Sequence, residues 1–396
     1  MMNNINLLHN IKKYVKILKN YKGDFMQETI LKLCKNFNLN GKLIKYNTFP
    51  SGHINTTYLV NLEINGENQE FVLQQINNTV FKKPDEVMLN ISNVTNHIKN
   101  KLLSNNKSIE RKVLDFLKTL DNKYYYKDED GKFWRMYKFV NNSTTFDLTD
   151  NLKVITETGK AFGEFQCLLD DFPISNLNII IPHFHNTVNR YKIFKSALKN
   201  DVKNRAKDVI NEISEYLNLE NLATKMYKMQ KENKLHLRVT HNDTKCNNVL
   251  FDNQTFNHLC VIDLDTVMPG LIGFDFGDAI RFVANTSLED ETNLSKVKLD
   301  LVKFEAFTEG FLNEVKHCLT FNEKNTLSLG AITITIECGL RFLTDYLNGD
   351  VYFKTSYPEH NLDRARCQLT LAIDMINNYE KMQEIVNNCF KNKIFV

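Results

Sequence analysis

The sequence predicts an α+β protein in two lobes, a small strand-rich one followed by a larger, mainly helical one. Three observations point that way. At 396 residues the chain is more than double a typical single domain, so two packed units are expected rather than one core. Between about Lys42 and Asn77, and again in "WRMYKFV", the pattern is that of β-strands. From about Asp150 onward long helical stretches dominate.

Taken in order, the elements begin with "MMNNINLLHNIKKYVKILKNYKG", where Leu7, Leu8, Ile11, Val15, Ile17 and Leu18 recur among lysines in an amphipathic pattern. It lacks the apolar core and small-residue cleavage site of a secretion signal and reads as a packing helix, with a membrane-surface or targeting helix as the alternative. Residues 1–40 are assigned to this helical extension. Strands follow in "LIKYNTFPSG", "TTYLVNLEI" and "EFVLQQI", the last two joined by the turn "NGEN". Pro84 to Leu103 read as a helix, and "YYYKDEDGKFWRMYKFV" as two more strands around an Asp-Gly turn. The first lobe is therefore placed at 41–140 and the second at 141–396, where the hairpin "NNVLFDNQTFNHLCVIDLD" interrupts the helices. With 14 glycines and 6 prolines no long flexible linker is visible, and the richness in Asn, Lys and Ile runs along the whole chain.

Several function classes are disfavoured at once. A net charge of +3 is too mild for a nucleic-acid partner. No run of 18 or more apolar residues suggests a membrane span. The eight cysteines, Cys34, Cys167, Cys246, Cys260, Cys318, Cys338, Cys367 and Cys389, show no C-x-x-C spacing, which speaks against a zinc site or a disulfide frame and for a reducing cytoplasm. H-E-x-x-H and G-x-G-x-x-G are both missing. His183 and His185 in "IPHFHN" read as ordinary loop residues rather than a metal pair.

The chemistry concentrates in "THNDTKCNNVL". Phosphoryl transfer needs a carboxylate to orient the acceptor hydroxyl and an oxygen ligand for magnesium on the nucleotide phosphates. Here Asp243 stands two places after His241 and five before Asn248; a polar surface turn is the alternative. The next strand, "LCVIDLDTVMPG", ends in Asp263 and Asp265, and a hairpin would return one of them beside Asn248 as a second magnesium ligand. In "PGLIGFDFGDAIRF", Asp275 and Asp278 precede an apolar helix that either could cap. Asp275 could instead buttress the catalytic loop by accepting its amides. Gly52 in "FPSGHINTTYLV" suits a close approach of backbone to phosphate, or an ordinary turn. "WRMYKFV" has the look of an edge strand whose free backbone groups could pair with an adenine, or of core packing. Glu337, Arg341 and Asp345 share one helix face at i, i+4 and i+8, for surface ion pairing or for hydrogen bonding to a hydroxylated substrate.

Together "HNDTKCNNVLF", "VIDLDTVMPG" and "FDFGDAIRF" make the chain resemble the aminoglycoside phosphotransferase and choline kinase family, small-molecule kinases with a protein-kinase-like fold. The match runs over roughly residues 40 to 380 and, through "SGHINTTYLV", "FVLQQIN", "ECGLRFLTDYLNGDVYF" and "YPEHNLDRARCQ", looks closest to its sugar 1-kinases. The resemblance implies ATP as donor, Asp243 as catalytic base, and Asn248 and Asp263 as Mg2+ ligands. It further implies adenine at Phe139 and Val140, and a small-molecule N-acetylhexosamine facing His53, Arg341 and Tyr352. One departure stands out: Gln74 and Gln75 occupy the place where such kinases present a phosphate-binding lysine, leaving Lys82, Lys83 or Lys245 as compensators. Other acceptors, namely an aminoglycoside, choline or homoserine-like molecule, and a nucleotide-binding module without activity remain the alternative readings.

Overall fold

A computed structural model describes residues 26–49 and 54–391; the amphipathic start, Gly52 and His53 lie outside them. Contacts within the chain define two units, one of residues 1–92 and 114–140 and one of residues 93–113 and 141–396.

The first unit is a helix packed on an antiparallel sheet. Residues 26–36 form α1. Strands β1 (Lys42–Thr48), β2 (Thr56–Ile64) and β3 (Glu67–Ile76) follow, then helix α2 (Pro84–Ser104), whose residues from 93 on belong to the second unit. β4 (Tyr126–Lys127) and β5 (Phe133–Lys138) complete the sheet in the order β1-β2-β3-β5-β4. The period of two is plain in β2, where Tyr58, Val60 and Leu62 are buried against Ile30, Leu33 and Phe37 of α1 and its end, with Phe71, Leu73, Trp134 and Met136 in the same cluster. Asn65 and Gly66, at φ 55° and 83°, supply the left-handed pair a two-residue hairpin turn needs. The strand "WRMYKFV" is not the free edge the sequence suggests. Residues 115–117 cover it: Leu117 N–H donates to Met136 O at 2.8 Å and Lys138 N–H to Asp115 O at 3.1 Å.

The second unit is helical around two small sheets. In chain order it contains β6 (Ser143–Thr144), α3 (Leu152–Leu168), α4 (Thr187–Asn200), α5 (Ile210–Asn218), α6 (Glu220–Ala223), α7 (Lys225–Lys231) and β7 (Arg238–Thr240). Then come β8 (Val249–Asp252), β9 (His258–Val261), β10 (Met268–Gly270), α8 (Ile272–Val283), α9 (Leu301–Val315), α10 (Phe321–Asn348), α11 (His360–Asn377) and α12 (Tyr379–Lys391). β6, β8 and β9 form one antiparallel sheet and β10 pairs with β7. α10 opens on a capping box between Thr320 and Glu323 and closes on Gly349 at φ 94°. It is apolar and long enough to cross a membrane, yet 89% of its most apolar window is buried inside the fold, so it is the core helix of this unit.

Glycines let the helices around the site approach backbone to backbone. A Cβ on Gly330 of α10 would run into the Gly273 carbonyl, and one on Gly277 of α8 into the Gly330 backbone. This fixes α8 against α10, and α8 carries Asp275 and Asp278.

Candidate active site

The loop between β7 and β8 is held from below by α8. Asp275 Oδ2 and Oδ1 accept the backbone amides of His241 and Asn242, both at 2.8 Å, and Gln166 Nε2 donates to Oδ2 at 2.8 Å. One turn further, Asp278 Oδ2 accepts the Thr244 amide at 3.1 Å while its Oδ1 takes Arg281 Nη2 at 3.1 Å. Of the two readings the sequence allows, capping does not hold, since α8 begins at Ile272, before both, with Leu271 at its N-cap; both aspartates instead buttress the loop by accepting its amides. Burial pushes the Asp275 carboxyl up, against the pull of His241, Asn242 and Gln166.

The ring of His241 is fully buried. Its Nδ1 accepts the Asp243 amide at 3.2 Å and its Nε2 faces Ile262 O at 2.8 Å, a pattern that asks for the proton on Nε2. Edge contacts from Phe162 and Phe165 fix the ring plane. Asn242, at φ 64°, donates to Thr266 O at 2.9 Å, tying the loop to the far end of the hairpin.

Held in this way, the Asp243 carboxylate has one oxygen on Lys245 Nζ at 2.9 Å and the other on Asn248 Nδ2 at 3.1 Å. Desolvation works against its charged form, but Lys245, His241 and Asn248 outweigh that and hold the carboxyl below the ordinary carboxylate range. Asn248 Nδ2 also donates to Asp243 O at 2.8 Å. The amide group of Asn248 therefore faces Asp243, and its Oδ1 takes no hydrogen bond among the described residues.

β8 and β9 pair with Val249 opposite Val261, and Ile262 N–H donates to Asn248 O at 2.9 Å. Asp263 is the next residue, turned into the left-handed region at φ 57°. The hairpin thus places Asp263 next in the chain to the residue that pairs with Asn248. Two oxygen donors fit magnesium, which binds through one or two protein groups plus substrate phosphates rather than in an all-protein cage. Among the described residues no group of three or more His, Cys, Asp or Glu is arranged to hold a metal.

The residues on α10 do not form the surface ion-pair row that is one reading of their spacing. Glu337 is 1% exposed and receives Thr187 Oγ1 at 2.6 Å and His185 Nδ1 at 3.0 Å. Burial opposes its charge, but His185 leads the groups that hold its carboxyl below the usual range. Asp345, 4% exposed, accepts the amides of Val351, Tyr352 and Phe353 at 3.0, 2.9 and 2.9 Å. It thereby shapes the loop that carries Tyr352. Arg341 stands over the Tyr352 and Phe353 rings at 5.9 and 5.3 Å. Spacing alone could not separate these fates, because it reports a shared face and not which neighbour covers it.

In the first unit, Gln74 lies on β3, and the Phe139 amide donates to Glu70 O at 2.9 Å, so it is not free to pair with a base. Of the lysines considered as substitutes at the phosphates, Lys83 pairs with Glu86 at 2.7 Å and Lys245 with Asp243. Arg135, which the sequence reading passed over inside "WRMYKFV", is 2% exposed and donates from Nε to Gln74 at 2.8 Å. A charged residue between the two core-facing positions Trp134 and Met136 was the available signal.

Solved structures of similar fold include kinases and phosphotransferases. A microcompartment-associated aminopropanol kinase matches at 13% identity and TM-score 0.59, covering 90% of this chain and 98% of that one. Choline kinase from Cryptosporidium parvum matches at 16% and 0.55, covering 92% and 100%. A spectinomycin phosphotransferase in complex with ADP and spectinomycin matches at 15% and 0.52, covering 90% and 98%. The fold is thus protein-kinase-like. Residues 45–294 match the model of the phosphotransferase enzyme family (APH), and the chain belongs to that family.

Proposed function

We propose that the protein is an N-acetylhexosamine 1-kinase, a cytoplasmic enzyme that uses ATP and Mg2+ to phosphorylate the anomeric hydroxyl of N-acetylglucosamine or N-acetylgalactosamine. The observation that carries the reading is the Asp243 carboxylate, held ionised between Lys245 and Asn248 on a loop whose amides are clamped by Asp275 and Asp278. Family membership supports phosphoryl transfer, and the ADP bound to the spectinomycin enzyme supports a nucleotide donor.

In this reading Asp243 accepts a hydrogen bond from the acceptor hydroxyl, aligns it with the γ-phosphorus and takes its proton as the bond forms. Rate acceleration comes chiefly from positioning and charge, since the loose transition state asks little covalent chemistry of the protein. Magnesium, held by Asn248 and Asp263, would neutralise charge on the phosphates. His241 and Asp275 keep the loop in place without touching substrate.

What favours a neutral, oxygen-rich acceptor over a cationic one is the charge around α10. Burial lowers the Arg190 guanidinium and the Arg341 charge lowers it further, so two cations share this region, while the Glu337 carboxylate is already taken by His185 and Thr187. Guanidinium donors beside the Tyr352 ring suit sugar oxygens and an acetamide carbonyl.

ADP release should be measured with ATP and Mg2+ against N-acetylglucosamine, N-acetylgalactosamine, glucose, galactose, choline, homoserine and kanamycin. Turnover with the N-acetylhexosamines is expected. Turnover confined to choline, homoserine or kanamycin would retain the phosphotransferase and discard the sugar, and ATP binding without turnover on any acceptor would leave a nucleotide-binding module.

A further inference from the structure

Beside the catalytic loop the second unit holds a cavity of about 590 Å³, inside the range of roughly 300–1,000 Å³ that small-molecule sites occupy. Its walls are residues 147–150 ahead of α3, Cys246 of the loop, Phe282 and Val283 at the end of α8, residues of the 285–291 segment, Lys296, and Lys303 of α9. We propose that this cavity extends the acceptor site: it takes a second sugar residue joined to the N-acetylhexosamine that is phosphorylated, so the acceptors of this chain include reducing oligosaccharides. The inference rests on the sugar 1-kinase reading above and names the size class of its substrate.

Lys245 Nζ stands 2.9 Å from Asp243 Oδ1 and 5.0 Å from the centre of the Phe282 ring, so one ammonium group reaches from the catalytic carboxylate to the cavity wall. The next residue, Cys246, is itself a wall, and beyond it Asn247 Nδ2 donates to Asp147 Oδ1 at 3.1 Å, tying the loop to the 147–150 wall. Asp243 does not line the cavity, and neither do Arg341 and Tyr352, the side chains given to the reacting sugar. The cavity is therefore space beside the reaction centre, not the place where the anomeric hydroxyl reacts.

The walls suit a neutral, hydroxylated ligand. Lys303 pairs with Asp150, and Lys296 with Glu291 at 3.5 Å, so an anionic ligand meets no unmatched ammonium group there. A cationic one meets Lys245 and Arg281, which stand 5.0 and 4.0 Å from the centre of the Phe282 ring. Asp147 is exposed and accepts hydrogen bonds, as sugar hydroxyls require. Leu148 and Leu288 leave 55% and 58% of their surfaces exposed and, with Phe282, offer apolar contact to the C–H face of a pyranose ring. Apolar surface with a few fixed polar groups is the pattern of a small-molecule site.

The chemical step is that of the smaller acceptor. The anomeric oxygen of the reducing residue bonds to the γ-phosphorus, the bond from that phosphorus to the β–γ bridging oxygen breaks, ADP leaves with the electron pair, and the hydroxyl proton passes to Asp243. The second residue takes no part in making or breaking bonds. It adds contacts that are the same before and at the transition state, and so lowers KM rather than raising kcat.

Steady-state kinetics of ADP release by the full chain tests the assignment, with N-acetylglucosamine, N,N′-diacetylchitobiose and N-acetyllactosamine as acceptors. At least one of the disaccharides should show a KM roughly 5- to 50-fold below that of the monosaccharide at similar kcat, with phosphorus NMR placing its phosphate on the reducing-end anomeric carbon. Leu288→Trp and, independently, Leu148→Trp fill the cavity from exposed positions. Each should raise the disaccharide KM roughly 10-fold or more, while kcat/KM for the monosaccharide and KM for ATP stay within about 2-fold of wild type. Turnover of N-acetylglucosamine with neither disaccharide favoured overturns the extension, as do variants that impair monosaccharide and disaccharide alike or raise the KM for ATP instead. No turnover with any of the three sugars would strike the sugar 1-kinase reading itself, an outcome separate from a failure of the cavity.

Discussion

Replacing Asp243 by asparagine keeps the bond to Asn248 within reach but removes the charge that Lys245 faces at 2.9 Å. Turnover is expected to fall roughly 10²- to 10⁴-fold, the usual weight of a general base, with ATP affinity nearly unchanged. Steady-state kinetics beside nucleotide titration would check it, and near-normal turnover would remove Asp243 from the mechanism. Asp275→Ala acts differently, leaving the buried amides of His241 and Asn242 without their acceptor. Each orphaned donor costs about 1–3 kcal/mol, so thermal stability and kcat should fall together. At this scale the sequence was informative where chemistry is local. The H-x-D-x-x-x-x-N spacing sits on one short loop and can be read off. Glu337 and Asp345 could not be read, because what decides their parts is burial under His185 and under the 351–353 loop.

Among the elements, α8 transmits packing to the loop, since Gly273 and Gly277 let it lie on Gly330 of α10. A methyl group there must push backbone, not a flexible side chain. Gly330→Ala should destabilise the fold by about 1–3 kcal/mol, the range of overpacked cores, and lower kcat through a displaced Asp275; an unchanged melting temperature and kcat would contradict this.

A second link joins β9 to α3, where His258 Nδ1 and Nε2 reach Glu157 at 2.7 Å and Glu164 at 3.1 Å. Burial alone would raise the Glu157 carboxyl, yet His258 and Lys160 pull it from 4.5 down to about 2. Burial would lower His258, yet Glu157 and Glu164 raise it above 6.5. The glutamate's contribution is complete above 4.5 and lost as pH falls toward 2. The histidine's is complete below 6.5 and lost as pH rises through its raised value. Chemical denaturation of wild type and His258→Asn should therefore differ most between pH 4.5 and 6.5, by roughly 1–3 kcal/mol, and less on either side. A flat difference across pH would refute the linkage. Strand and helix periodicity announced most of these elements, including the β8–β9 hairpin. The covered edge of β5 was missed because residues 115–117 pair with it without a strand pattern of their own.

For the molecule as a whole, the two-lobe α+β architecture follows from patterning alone, and the family from three motifs that the fold gathers onto one loop, one hairpin and one helix. Acceptor identity has no such signature: in the proposed reading it depends on side chains from α10 and the loop after it and on the charge balance of Arg190, Arg341 and Glu337. The most direct test is phosphorus NMR of the product formed from ATP, Mg2+ and N-acetylglucosamine or N-acetylgalactosamine by the wild-type chain. The account predicts a phosphate ester coupled to the anomeric proton, accumulating in step with ADP. Phosphate on another hydroxyl, or ADP accompanied only by free phosphate, would contradict it.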